Sequence, residues 1–173
     1  MSALYRVRQF IRASGAWFRS GEGDVAFAAR YLSPPALALF QAMPRHDQQH
    51  ARNVCQTLQR QGHMDRDLLA AALLHDAGKS FGREASVRLW HRVAVVLIRV
   101  FWPSLLGQLA RNSEEGWRRP FYVQVYHAAI GAEAARQAGC SDIAVTLIRH
   151  HEDPPGRIFD PLLAALQAAD GEN

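Results

Sequence analysis

Three observations in the sequence predict an all-α fold. Apolar residues recur at helical spacing from end to end. No segment alternates apolar and polar residues between turn signals, as a sheet would require. Serine, aspartate and proline repeatedly precede apolar runs that glycine or proline then closes. A chain of 173 residues with 49% hydrophobic and 21% charged residues suits one domain around one core, and it carries no repeat or low-complexity tract.

The elements follow in order. Ser33 before Pro34 and Pro35 has the form of an N-cap with proline in the first turn, opening the apolar run from Ala36 to Met43, and Pro44 ends it. A helix is expected from Arg45 to Arg60, with His50, Ala51, Val54 and Leu58 on its inward face and Gly62 closing it. Asp65 caps the next helix, whose body LLAAALLHDAG is apolar on nearly every side and so belongs at the centre. His75 and Asp76 are expected in its last turn, with Gly78 as the stop.

Residues 84 to 120 have a different character. Val93 to Ile98 is an uninterrupted apolar run, extended by Val100, Phe101 and Trp102, while Arg88, Arg92 and Arg99 recur along one face up to Pro103. The reading is an inserted helical hairpin packed on the core or on a second copy of the chain. The alternative is a lid or peripheral membrane contact through Trp90, Phe101 and Trp102. Arg92, Arg99 and Arg111 leave no window of about 20 apolar residues for a membrane span. Beyond Pro120, Tyr122 to Ala138 reads as a helix carrying His127, punctuated by Gly139. Ser141 caps DIAVTLIRHH, which Asp153-Pro154-Pro155-Gly156 ends, and Asp160-Pro161 opens a last helix reaching Asp170. Residues 1–44 then form a helical lead-in packed on the core.

The formal charge of +4 comes from an arginine excess, since Lys79 is the only lysine among 20 basic residues. Such a field favours a small anionic substrate. The arginines are dispersed and lack interleaved aromatics, so no dedicated nucleic-acid surface is expected. Cys55 and Cys140 have neither CxxC spacing nor a disulfide framework, and Arg6, Arg8 and Arg12 interrupt the first apolar stretch; a cytoplasmic protein is the expectation.

His50, His75, Asp76, His127, His150, His151 and Asp170 carry the chemistry. Imidazole nitrogen and carboxylate oxygen hold divalent cations, and most of the eight histidines belong to this set. Neighbours on a helix point about 100° apart, so the His75-Asp76 pair suits a loosened helix end, as Ala77-Gly78 signals, and a carboxylate able to bridge two ions. Each residue has a structural use too, as a capped or surface side chain. Their joint placement on apolar helix faces, where an unpaired polar group is costly, favours the metal reading. His63 and His91 lack that setting.

The series HARNV, LLHDAGK, HAAIGAE, IRHHED and AAD resembles the HD-domain superfamily of metal-dependent phosphohydrolases, over roughly residues 45 to 170. The resemblance implies an all-helical HD domain at 45–173. His50, His75, Asp76 and Asp170 would bind one ion, Asp76 would bridge to a second, and His127, His150 and His151 would hold that second ion. It implies two divalent ions per chain, iron or manganese foremost, with zinc, cobalt, nickel or magnesium as alternatives. The His150-His151-Glu152 run is similar to the HD-GYP phosphodiesterases, although DPPGRIFDP stands where the GYP element would follow. In this frame Asp76 and Lys79 would be catalytic, and Lys79 and Arg83 would bind a phosphorylated substrate such as a nucleotide, monoester or diester, the alternative for Lys79 being a cation that caps a helix end. His46, four residues before His50 on the same helical face, is read as reaching the substrate, or else as a surface residue next to Asp47. Two alternatives are a di-iron oxygenase of the myo-inositol oxygenase type and a non-catalytic signalling domain on the same frame.

Overall fold

A computed structural model describes residues 22–82 and 119–173. They form α1 (Glu22–Ala28), α2 (Pro34–Ala42), α3 (Arg45–Arg60), α4 (Arg66–Leu74), a 3-10 turn (Ala77–Gly82), α5 (Arg119–Gln137), α6 (Asp142–His150) and α7 (Pro161–Glu172). No strand occurs among them. Arg83, the first 21 residues and nearly all of the 84 to 120 excursion lie outside the described residues, and so does His91.

Three of the four expected caps form, whereas Ser33 stands at the start of α2 with prolines behind it but makes no side-chain bond to an amide there. Asp65 accepts from the Leu68 amide, Ser141 from Ala144, and Asp160 from Leu162 and Leu163, so each satisfies amide groups that a helix start leaves without partners. Gly62 and Gly139 take φ of 89° and 77° where α3 and α5 end, a conformation that other residues adopt only with strain.

As its composition requires, α4 lies at the centre. Leu68, Leu69, Leu73 and Leu74 are buried, each contributing about 2 kcal/mol of transfer free energy. It packs against α3 and α6, while α5 lies across the 3-10 turn and α7 across α3. The C-terminal residues are ordered beside this core, as the position of Asp170 demands: Asn173 Nδ2 donates to Thr57 Oγ1 at 3.0 Å and to Ala169 O at 2.8 Å.

Two boundaries differ from expectation. α4 ends at Leu74, so His75 and Asp76 occupy a turn instead of a helical turn, and the chain tightens into the 3-10 segment. Gly78 is not a left-handed helix stop there. A Cβ on Gly78 would lie 1.9 Å from the carbonyl oxygen of His127 and 2.7 Å from the Gly131 amide nitrogen, so its role is to let the backbone of α5 approach. α6 ends at His150, ahead of Asp153-Pro154, because the chain already turns at His151.

Candidate metal centre

The elements that bury α4 also bring the histidines together. His50 comes from the middle of α3, His75 and Asp76 from the turn after α4, His127 from α5, His151 from the end of α6 and Asp170 from α7. Two sets of donor atoms converge: His50, His75 and Asp76, and then Asp76, His127 and His151. Within each set all ligand atoms lie within 4.8 Å of one another.

Asp76 belongs to both sets through different oxygens. Its Oδ1 lies 3.6 Å from His127 Nε2 and 3.8 Å from His151 Nε2, while Oδ2 lies 3.7 Å from His75 Nε2. Asp170 Oδ1 lies beside two members of the first set, 2.9 Å from His50 Nε2 and 3.4 Å from His75 Nε2. An ion about 2.0 to 2.2 Å from each of its ligands holds those ligands roughly 3 to 3.5 Å apart, close to the spacings here.

The ring orientations fit a cation as well. Nδ1 of His75, His127 and His151 each donates to the carbonyl three residues earlier, Ala72 at 2.9 Å, Gln124 at 3.0 Å and Ile148 at 2.7 Å. Spending Nδ1 this way aims Nε2 inward, the nitrogen that would meet a cation once any proton on it is lost, the arrangement usual around metal-bound histidine. Nε2 of His75 and of His127 is buried with no hydrogen-bond partner. A buried polar atom left so costs about 1 to 3 kcal/mol unless something answers it.

The electrostatics divide the rings. Burial works against the charged form of His75, but the Asp76 and Asp170 carboxylates outweigh it and push the ring up to about 9. Burial, then the neighbouring His75 charge, brings His151 down to about 4. Burial and Lys79 lower His127. Burial opposes ionisation of Asp76, yet Lys79 and the three imidazoles hold its carboxyl well below the usual range. Burial opposes ionisation of Asp170 as well, yet the bond from His50 and the nearby His75 ring depress it likewise.

Lys79 Nζ sits 2.6 Å from Asp76 Oδ2. Burial disfavours its charge, but Asp76 dominates, with Asp47 and Glu152 adding to the negative field, and the ammonium is raised above its ordinary range. His46 Nε2 lies 3.0 Å from Asp47 Oδ1 at the start of α3, outside both donor sets.

His150 is the residue that the structure does not bring in. Its Nδ1 bonds Asp153 Oδ2 at 2.9 Å, and the side chain is 30% exposed, whereas His151 is the buried member of the pair. The turn at the end of α6 sends the two rings in different directions, so only one faces the core. Glu152, absent from the expected site, has Oε1 3.8 Å from His127 Nε2. Its place beside His151 was the only signal for it. Asp47 was likewise passed over: it is buried, and its Oδ2 has no hydrogen-bond partner.

A comparison with protein-family models matches residues 48–171 to the HD domain. Searches of curated proteins and of solved structures returned no match. The matched segment begins two residues before His50, ends one residue after Asp170 and encloses both donor sets. This chain belongs to the HD-domain superfamily of metal-dependent phosphohydrolases.

Proposed function

We propose that the chain hydrolyses a phosphate ester, of a nucleotide or a related small anion, at a centre of two divalent ions. His50, His75, Asp76 and Asp170 would hold one ion, and Asp76, His127 and His151 the other, with Glu152 beside it. The observation that carries the reading is the division of Asp76, whose two oxygens face two different sets of imidazoles. A carboxylate so placed is the usual link between paired ions.

Divalent ions in such a site supply Lewis acidity and a water acidified toward neutral pH. The chain's own residues do the rest. Three Nδ1 to carbonyl bonds keep the rings from turning, so donor geometry needs no reorganisation on binding. Lys79 brings a positive charge to the edge of the centre, where a phosphoryl anion gains most from it. The net positive charge of the chain favours approach of an anion over a cation. His46 is proposed to contact substrate from the start of α3, and Arg83, next to the 3-10 turn but outside the described residues, to clamp phosphate.

The test is elemental analysis of protein purified without chelator, followed on the same sample by phosphate release from a nucleotide and phosphodiester panel. Close to two ions per chain with phosphate release is the expected result. A single ion, or none, overturns the binuclear reading. Two irons with oxygen-dependent loss of substrate and no hydrolysis would transfer the frame to oxygenase chemistry.

A further inference from the structure

Lys79 and a metal ion compete for one atom. The ammonium lies 2.6 Å from Asp76 Oδ2, the oxygen that faces His75 and the first donor set, while Oδ1 is left to His127 and His151. A divalent cation and an ammonium on the same carboxylate oxygen repel, the more so where burial lowers the effective dielectric. An ion on that oxygen therefore disfavours Lys79 in its present place.

Asp47 offers the destination. Its side chain is nine-tenths buried on the first turn of α3, one oxygen is held by His46 at 3.0 Å, and the other, Oδ2, has no hydrogen-bond partner. A buried carboxylate oxygen without a donor is costly, so an arriving ammonium is doubly favoured there. Asp47 already adds to the field at Lys79 across the gap. Glu152 contributes to the same field, but it is part-exposed and lies beside the second donor set.

We infer that Lys79 is an exchangeable counter-cation, which sits on Asp76 until an ion takes the position between His50, His75 and Asp170, and then passes to Asp47. Asp47 is thus a positioning residue that sets the affinity of the first metal position without touching the metal. The inference rests on the binuclear reading above.

A double-mutant cycle in ion affinity tests it, with Mn²⁺ as the probe and free Mn²⁺ followed by electron paramagnetic resonance. Lys79→Met, which removes the competitor, is expected to bind the first Mn²⁺ about tenfold more tightly than the unmodified chain. Asp47→Asn, which removes the destination, should weaken it about tenfold in the lysine background and leave it unchanged in the methionine background. Lys79→Gln serves as a second neutral variant, and melting curves by circular dichroism verify that each protein is folded. Equal effects of Asp47→Asn in both backgrounds, or no tightening in either neutral variant, overturns the exchange while the metal centre stands. An unmodified chain that takes up no Mn²⁺ overturns the metal centre and the exchange together.

Discussion

His75, His127 and His151 share one local device, a ring nitrogen tied to the carbonyl three residues back, which turns the other nitrogen inward as a ligand would need. Removing a ligand should cost more than removing an outer partner, for which losses of about 10- to 100-fold in metal affinity are usual. His75→Ala and His127→Ala are each expected to lose more than about a hundredfold, measured by ion titration, whereas His150→Ala should change affinity little. A strong effect at His150 would contradict the placement of its ring against Asp153.

The two cysteines differ at the same scale. Burial pushes the Cys55 thiol up to about 12, against an ordinary value of 9.0, and Arg30 only partly opposes it. Between these two values an unfolded chain ionises there and the folded one does not, so folding stability falls as pH rises past 9. At pH 8.5 iodoacetamide should label Cys140, which is half-buried, well before Cys55, as mass spectrometry of the native protein would show. Equal labelling would mean that α3 is not buried as described.

Among the elements, the contact of α5 with the 3-10 turn is the least forgiving. At Gly78 an added methyl meets backbone atoms, which cannot rotate aside, so Gly78→Ala should destabilise by about 3 kcal/mol, a fall of about 10 °C in melting temperature for a chain of this length. A variant melting within about 2 °C of the parent would show that α5 does not lie against this turn. The sequence marked Gly78 as special yet misassigned the reason, because a stop and a close approach both demand glycine and only the neighbouring helix distinguishes them. Helix caps were legible for the opposite reason: Asp65, Ser141 and Asp160 act on amides two or three residues away, and local chemistry suffices. On α7, Gln167 Nε2 donates to the carbonyls of His150, His151 and Asp153, and the same helix carries Asp170 to the first donor set, so one element steadies both halves of the centre.

At the scale of the whole molecule, the donor sets join four helices and the turn after α4, so an ion held there would be linked to folding. A ligand that binds only the folded chain stabilises it by about 2.7 kcal/mol at a hundred times its dissociation constant. Mn²⁺ at that excess should raise the melting temperature by about 5 to 10 °C, and chelator should reverse the rise; no shift would separate metal binding from the fold. Among the described residues no helix is long and apolar enough to cross a membrane. Fold class, three caps and most of the side chains that converge in the two sets could be read from the chain alone, because periodicity, capping and donor chemistry are properties of residue type and local spacing. Which of His150 and His151 faces inward, that Glu152 lies beside His127, and that Asp76 divides its oxygens between two sets depended on side-chain direction at helix ends and on packing between residues up to 120 positions apart, such as His50 and Asp170. Those relations exist only once the helices have docked.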